Sequence, residues 1–295
     1  MRLSPCEIAR RAADLTAHLS PCRLCPHACG VNRSAGELGR CGVGPRPKVA
    51  SFGPHFGEES VLVGTRGSGT VFFSGCNLSC VFCQNYATSQ LRVGTELGPD
   101  ELAEIFLELD RRGCHNLNLV TPTHQAPAIV TALARARERG FDRPVVWNCG
   151  GYESVEVLRL LEGIVDIYMP DAKYADDDVA QRYSGAPGYA TNLSAVLAEM
   201  HRQVGDLMIE RGVARSGLLV RHLVLPNGLA GSDRVLEMIA ATLGPNTYVN
   251  VMDQYRPVYR AGEFPELCRR PTETEIKEAF AAARSSGLTR GLEKD

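Results

Sequence analysis

Three closely spaced cysteines, Cys76, Cys80 and Cys83, are the first side chains in this sequence that could carry out chemistry. They follow the spacing C-x3-C-x2-C within eight residues. A thiolate is a soft ligand, and three so close together can converge on one soft metal centre. A structural zinc site and a cubane [4Fe–4S] cluster each take four ligands. Three local cysteines on a cubane would leave one iron open to another ligand, and chemistry could take place there.

A second group of cysteines lies near the N-terminus, with spacing C-x2-C-x3-C-x11-C. Its members are Cys22, Cys25, Cys29 and Cys41. Four thiols within twenty residues match a closed site for zinc or for an iron–sulfur cluster. We predict a second metal here, because closely spaced buried thiols without a ligand are prone to oxidation. The alternative is that these cysteines are reduced and pack a small cap.

Charge and hydropathy exclude several classes of protein. Lys plus Arg is 32 and Asp plus Glu is 34, which gives a net charge of −2. Proteins that hold nucleic acid carry clustered excess Lys and Arg, so we expect no nucleic-acid partner. No apolar run approaches the roughly 20 residues of a membrane helix, and the first residues do not resemble a signal peptide. We therefore expect a soluble, cytoplasmic protein without a membrane partner. In a reducing compartment its 11 cysteines indicate metal or redox chemistry.

The elements that must position these cysteines begin at about residue 70, where short β-rich runs alternate with amphipathic ones. The predicted strands are 71–74, 116–121, 144–149, 165–169, 218–225 and 247–252. The predicted helices are 100–112, 126–139, 154–161, 193–211, 233–243 and one that begins at Thr272 with a capping box to Glu275. This alternation predicts an α/β fold with a parallel sheet. Six strands suit an open, partial (β/α)6 TIM-like barrel, in which chemistry lies at the C-terminal strand ends.

Three regions follow from this pattern. Residues 1–66 form a Cys-rich N-terminal extension, and the prolines and glycines of 2–46 predict an irregular segment. Residues 67–255 form the partial barrel, and 256–295 form a C-terminal helical extension. The glycines at 64, 67 and 69 precede the first strand, so we interpret them as a tight turn rather than a phosphate loop.

The C-x3-C-x2-C motif, placed after the first strand of such a barrel, resembles the radical S-adenosylmethionine superfamily. The resemblance implies a [4Fe–4S] cluster on Cys76, Cys80 and Cys83, with S-adenosylmethionine on the fourth iron. It also implies reductive cleavage of that cofactor to a 5′-deoxyadenosyl radical, with electrons from a donor such as flavodoxin or ferredoxin. Phe82 matches the aromatic residue that the family places near the cluster and adenine. The alternatives are a zinc loop completed by Cys149 or a histidine, or three reduced core cysteines.

Charged residues at later strand ends resemble the activating-enzyme branch of this superfamily, exemplified by pyruvate formate-lyase activating enzyme. Residues 166–173 match its D-x-x-M-x-D-x-K segment, which implies that Asp171 and Lys173 lie beside S-adenosylmethionine. Arg221 resembles the arginine of the family's R-x-x-x-x-P-G region, although Asn227 is inserted here. Asn148 ends the third strand and is a candidate cofactor contact. The alternatives are a surface ion pair for Asp171 and Lys173, and an edge-strand position for Arg221.

One segment departs from the activating enzymes. They carry G-G-E after the second strand, whereas this chain has Thr121, Pro122, Thr123 and His124, without the carboxylate. The leading hypothesis is therefore a radical S-adenosylmethionine enzyme that abstracts hydrogen, with activation of a glycyl radical enzyme as one role. The alternatives are radical modification of another protein or a small molecule, and a non-catalytic iron–sulfur or zinc protein. The stretch 255–295 carries no motif that identifies the substrate.

Overall fold

A computed structural model describes residues 3–292 of the chain. Its helices are α1 Pro5–Ala17, α2 Ser60–Val63, α3 Tyr86–Ser89, α4 Pro99–Arg111, α5 Ala126–Glu138, α6 Val155–Leu161, α7 Asp177–Ser184, α8 Tyr189–Val204, α9 Ser232–Leu243 and α10 Glu273–Ser285. Its strands are β1 Lys48–His55, β2 Ser68–Phe73, β3 Thr95–Glu96, β4 Leu117–Val120, β5 Val145–Cys149, β6 Ile167–Pro170, β7 Met208–Glu210, β8 Val213–Leu223 and β9 Tyr248–Met252. No helix within 3–292 is both long enough and apolar enough to cross a membrane.

The strands form one mixed sheet in the order β3-β1-β2-β4-β5-β6-β8-β7, with β9 also paired to β8. The six strands β2, β4, β5, β6, β8 and β9 run parallel to one another, and each corresponds to a predicted strand. The prediction missed β1, β3 and β7, which are antiparallel. Two of these are too short to show a pattern, and only one residue of β1, Val49, is buried, so neither apolar runs nor alternation indicated them.

The two faces of the sheet have different coverings. Leu117 and Leu119 of β4 join the core beneath the helices, so the alternating residues Asn118 and Val120 lie on the opposite face, hereafter the inner face. An apolar cluster occupies part of the inner face. It comprises Leu62, Val146, Ile167, Met169, Leu207, Ala214 and Leu219. Helix α2 therefore covers the inner face through Leu62, and polar residues near the C-terminal strand ends remain available for a site.

The prediction of an irregular segment over residues 2–46 was wrong for α1. Ser4 caps this helix by accepting a hydrogen bond from the Glu7 amide, and Pro5 occupies its first turn. Ile8, Ala12 and Leu15 form its buried face, which packs against α5. Residues 18–47 are irregular apart from a short 3₁₀ turn.

Two further corrections concern helices. The predicted helix 193–211 ends at Val204, because Gly205 has a φ of +68° and the chain then turns into β7. Helix α7 and the single-turn helices α2 and α3 were missed. The capping box at Thr272 and Glu275 is confirmed at the start of α10.

The three predicted regions are connected within the structure. Strand β1 of the N-terminal region pairs with β2, so that region contributes to the sheet. The exact boundaries at residues 66 and 255 stay predictions.

Candidate active site

The loop that follows β2 carries the three cysteines, as the sequence predicted. Gly75 has a φ of +81° and turns the chain at the end of the strand. The Ser184 hydroxyl donates to Cys80 Sγ at 2.9 Å, and Ser89 Oγ lies 3.1 Å from Cys83 Sγ. The Leu78 amide lies 3.3 Å from Cys76 Sγ. All three sulfurs therefore have polar neighbours, which suits thiolates that must carry negative charge.

A cavity of about 230 Å³ joins this loop to the C-terminal strand ends. It is lined by all eight residues that the sequence assigned to the cluster and cofactor. These are Cys76, Cys80, Phe82, Cys83, Asn148, Asp171, Lys173 and Arg221. Parallel strands that end at one edge of a sheet explain why residues from three different strands meet here.

The charged residues of the cavity form one connected group. Lys173 Nζ donates to Asp171 Oδ2 at 2.6 Å, and Arg221 Nε donates to Asp171 Oδ1 at 2.8 Å. Arg221 also donates to Asn148 Oδ1 at 2.8 Å. The side chains of Asp171, Lys173 and Arg221 are only 14–16% exposed. The alternative that Asp171 and Lys173 form a surface ion pair is therefore wrong. At Arg221, strand β8 is paired on both sides, with β9 and with the end of β6. The alternative that Arg221 lies on an edge strand is therefore wrong as well.

The electrostatics of this group favour an anionic ligand. Burial opposes ionisation of Asp171, but Arg221 and Lys173 outweigh that effect and lower its pKa. Burial likewise opposes the charge on Lys173, and the Asp171 carboxylate reverses this and raises its pKa. Among the residues that line the cavity, two cations and one anion leave a net charge of +1 beside the three cysteines, and Glu58, outside this lining, lies 3.6 Å from Arg221. That charge can offset thiolates or attract the carboxylate of a bound molecule.

The cysteine loop fits a cluster better than a single metal ion. Among residues 3–292, no three Cys, His, Asp or Glu side chains are grouped to hold one metal ion. A cubane binds each thiolate at a different iron and does not require such a group. Burial raises the pKa of Cys80 to about 11, so this thiol needs a bound metal to ionise fully.

The four N-terminal cysteines lie outside this cavity. Cys22 and Cys41 are buried, whereas Cys25 and Cys29 are partly exposed. Burial raises the pKa of Cys41, with smaller contributions from Cys22 and Cys29, so these thiols are near one another. The second metal stays a prediction.

His27, within this group of cysteines, connects it to the cluster loop. Its Nε2 lies 2.8 Å from the backbone oxygen of Asn77, and its ring contacts Tyr152 edge-on at 5.1 Å. Asn77 itself donates through its side chain to the Tyr152 backbone oxygen at 2.6 Å. The N-terminal segment therefore supports the loop that carries Cys76, Cys80 and Cys83.

Glu153 is a buried carboxylate that sequence reasoning missed. Thr123 Oγ1 donates to Glu153 Oε1 at 2.6 Å, and burial raises the pKa of Glu153 to about 7. Thr123 belongs to the segment that stands in place of G-G-E, so Glu153 supplies a carboxylate next to that segment. Glu153 itself does not line the cavity, although Thr121 of the same segment does. The sequence signal that could have identified Glu153 is its position two residues after Gly151, at the end of the third predicted strand. His124 in the same segment is buried and has a pKa lowered to about 4, chiefly by burial.

Tyr255 was missed as well. Its ring meets Phe82 edge-on at 5.6 Å, and its hydroxyl donates to the Leu267 backbone oxygen at 2.8 Å. Both aromatic residues line the cavity. No motif in the C-terminal stretch indicated this, because the contact depends on tertiary structure.

The comparison with protein families agrees with the motif. The family model described as Radical SAM superfamily matches residues 70–203. The chain is 35% identical over 277 residues to an uncharacterized protein of Methanocaldococcus jannaschii, MJ0674, and the match covers 90% of this chain and 75% of that protein. A solved structure of HydG, a maturase of the [FeFe]-hydrogenase, is 14% identical with a TM-score of 0.49. That match covers 72% of this chain and 48% of the HydG chain, so it spans about half of HydG. The family match covers the cysteine loop and the Asp171–Lys173 segment, and the chain belongs to the radical SAM superfamily.

Proposed function

We propose that this protein is an enzyme that cleaves S-adenosylmethionine and abstracts a hydrogen atom from a substrate. One observation carries the proposal: Cys76, Cys80 and Cys83 line the same buried cavity as the Asp171–Lys173–Arg221 group. When bound, a reduced [4Fe–4S] cluster supplies one electron that splits the cofactor into methionine and a 5′-deoxyadenosyl radical. The three cysteines would hold three irons, and the open fourth iron would hold the cofactor.

The cavity residues have separate roles in this proposal. Lys173 binds the methionine carboxylate, because an ammonium group in a partly desolvated site forms a strong bond to an anion. Asp171 orients Lys173 and Arg221 and accepts from an ammonium or hydroxyl group of the cofactor. Asn148 offers an amide to the same molecule. Phe82 and Tyr255 form an aromatic wall that suits adenine and keeps water from the radical.

We propose the activating-enzyme branch as the nearest functional group within the superfamily. The D-x-x-M-x-D-x-K match at residues 166–173 supports it. The departure at Thr121–His124 weighs against close equivalence. In this proposal a cytoplasmic flavodoxin or ferredoxin donates the electron, and the substrate is a glycyl radical enzyme. Another protein or a small molecule is the second candidate substrate.

Anaerobic turnover tests the enzymatic proposal. The reconstituted protein is reduced with dithionite, and 5′-deoxyadenosine and methionine are quantified by liquid chromatography. We expect equal amounts of the two products. Protein that has a full cluster and releases neither product would favour the non-catalytic iron–sulfur alternative.

We further propose that Cys22, Cys25, Cys29 and Cys41 bind zinc or an iron–sulfur cluster. The burial of Cys22 and Cys41 supports this proposal, as does the effect of Cys22 and Cys29 on the pKa of Cys41. As at the loop, the described side chains are not grouped around one metal ion, so a bound metal would have to draw the four thiols together. A closed four-thiolate site would hold no cofactor, so its role would be to stabilise an irregular segment.

Metal analysis of a variant without Cys76, Cys80 and Cys83 tests the N-terminal site. We expect stoichiometric zinc or iron that is lost on further substitution of Cys25 and Cys29 by Ala. Substituting exposed Cys6 in the same background is the control. If the triple variant contains no metal, the four cysteines are packing residues.

A further inference from the structure

The last turn of α7 holds the middle cysteine of the cluster loop from both sides. The Ser79 amide donates to the Ser184 backbone oxygen at 2.7 Å. The Val81 amide donates to the Tyr183 backbone oxygen at 2.9 Å. These oxygens can accept because they lie at the end of the helix, where no later turn supplies an amide. The backbone on either side of Cys80 is therefore fixed to α7.

The Ser184 side chain makes a further contact with the same cysteine. Its hydroxyl donates to Cys80 Sγ at 2.9 Å, and the residue is fully buried. A cysteine that is bound to iron is a thiolate, so its sulfur can only accept a hydrogen bond. Because a serine hydroxyl has a single proton, Ser184 has none left to donate to another group.

Tyr174 determines the direction in which the Ser184 hydroxyl points. Its own hydroxyl lies 2.7 Å from Ser184 Oγ, and its side chain is fully buried. Since the Ser184 proton is committed to Cys80, Tyr174 must be the donor in this second bond. Tyr174, Ser184 and Cys80 thus form a chain of hydrogen bonds that ends at the sulfur. Each bond of such a chain polarises and strengthens the next.

This chain lies behind the cysteine loop and away from the cofactor. Neither Tyr174 nor Ser184 lines the cluster cavity, whereas Cys80 does. Water therefore does not compete for the bond to Cys80, which is stronger for being buried. Ser89, whose hydroxyl lies nearest to Cys83, lines the cavity, so its effect on a cluster is not separable from contact with the cofactor.

A donor that points at a cluster ligand acts on the reduction potential. Hydrogen bonds to the sulfurs are among the factors that set the potential of an iron–sulfur cluster. Reduction adds one electron and makes the sulfur ligands more negative. A hydrogen bond to such a ligand becomes stronger as the ligand gains negative charge, so it stabilises the reduced state more than the oxidised state.

We propose that the Ser184 hydroxyl, oriented by Tyr174, donates to Cys80 of the assembled cluster and raises the reduction potential of that cluster. Ser184 acts through Cys80 and is therefore a positioning residue. This inference rests on the proposed function, because it takes Cys80 as a ligand of the cluster. In the step concerned, one electron passes from the flavodoxin or ferredoxin to the cluster. The electron-donor protein is oxidised, the cluster is reduced, and no bond forms or breaks.

A redox titration of the anaerobic protein without S-adenosylmethionine measures this potential, with the reduced cluster followed by EPR spectroscopy. Ser184→Ala should keep its iron, because the bonds from Ser79 and Val81 to α7 use backbone oxygens. At a fixed solution potential, we expect the ratio of reduced to oxidised cluster to fall about tenfold, which is a midpoint lower by about 59 mV. A full cluster with a midpoint at or above the wild-type value would overturn the inference.

Two variants control for the loss of a buried hydroxyl. Ser68→Ala removes a hydroxyl that donates to Asn116 Oδ1 at 2.6 Å, and neither residue lines the cluster cavity. Tyr168→Phe removes one that donates to Gln203 Oε1 at 2.8 Å, also outside the cavity lining. Both variants should titrate at the wild-type midpoint. A midpoint lowered in them as much as in Ser184→Ala would attribute the shift to loosened packing and overturn the inference.

Tyr174→Phe tests the chain and leaves Ser184 in place. We expect its midpoint to fall in the same direction by a smaller amount, because the Ser184 hydroxyl remains but loses the bond that directs it. A wild-type midpoint in this variant would overturn the role of Tyr174. If Ser184→Ala assembles no cluster, the same result would overturn the whole inference.

Cofactor cleavage by the wild-type protein separates this inference from the function on which it rests. Cleavage of S-adenosylmethionine together with an unchanged midpoint in Ser184→Ala would contradict the inference alone. A lowered midpoint in Ser184→Ala without any cleavage by the wild type would support the inference and contradict the proposed function.

Discussion

Lys173 and Arg221 both contact Asp171, and this sharing determines what the site offers a ligand. A buried carboxylate with two cations stays ionised, and the excess positive charge remains in the cavity. The site was predictable from sequence as far as Asp171, Lys173 and Arg221 are concerned, because strand ends in an α/β sheet meet at one edge. Their hydrogen bonds to each other were not predictable, since they depend on rotamers and strand register.

Removing Lys173 should affect the cofactor and not the cluster. We expect Lys173→Ala to retain its iron and to bind S-adenosylmethionine about ten- to a hundredfold more weakly, since a charge-assisted bond contributes roughly 1.5–3 kcal/mol. Equilibrium dialysis with labelled cofactor measures this. Lys277→Ala, an exposed lysine of α10, is the matched control. Wild-type affinity in the Lys173 variant would show that this lysine does not contact the cofactor.

His222, next to Arg221 on β8, should stay neutral in mildly acidic solution. Burial lowers its pKa to about 4. Its Nδ1 lies 2.6 Å from the Ala172 backbone oxygen and must donate, so Nε2 accepts from the Ser232 hydroxyl at 2.8 Å. The unfolded chain takes up this proton near pH 6.5 and the folded protein only near 4. Stability therefore falls as the pH decreases from 6.5 to 4, by up to about 3 kcal/mol.

NMR of carbon-13-labelled histidine tests this directly. The His222 signal, assigned with a His222→Gln variant, should show no protonation above pH about 5. A titration midpoint near 6.5 would contradict the buried, neutral state.

At the scale of elements, the loop after β2 depends on the N-terminal segment. The Arg33 guanidinium is buried and donates to the backbone oxygens of Val43, Gly44 and His124 at 2.7–3.0 Å. It thereby ties that segment to the turn that follows β4. A Cβ atom on Gly75 would lie 2.5 Å from Val43 Cγ2 and 2.8 Å from the Cys41 backbone oxygen. The cluster loop and the Cys-rich segment therefore fit together only with glycine at this position.

Replacing Gly75 by Ala should disrupt cluster assembly. The variant combines left-handed backbone strain of about 1–2 kcal/mol with a clash that displaces the loop. Gly140→Ala is the matched control, since its φ is +91° and no atom lies within 4 Å of the added Cβ. We expect the Gly75 variant to lose most of its iron and the Gly140 variant to lose only stability. Iron analysis and thermal unfolding distinguish the two, and full iron content in Gly75→Ala would contradict the close fit.

The elements that sequence predicted well share one physical property. Five of the six parallel strands are mostly buried apolar runs, and β9 alternates buried and half-buried residues. The longer helices between the strands have one buried apolar face. The elements that were missed are recognisable only from their neighbours. Strand β1 is stabilised by pairing with β2, and α1 was obscured by the prolines and cysteines that follow it in the chain.

At the scale of the whole molecule, three parts of the chain converge on the cluster cavity. The sheet supplies the charged strand ends, the N-terminal segment supports the cysteine loop, and the C-terminal stretch contributes Tyr255. The sequence motifs identified the first of these contributions. Tyr255 carries no motif, because its importance arises from long-range packing.

One measurement tests the central claim most directly: 5′-deoxyadenosine released by single cysteine variants under reducing, anaerobic conditions. Cys76→Ala, Cys80→Ala and Cys83→Ala are compared with the wild type and with Cys114→Ala, a buried cysteine outside the cavity. We predict that the wild type and the Cys114 variant release 5′-deoxyadenosine and that each loop variant releases none, since two thiolates do not hold the cubane. Continued cleavage by a protein that lacks all three loop cysteines would contradict the account.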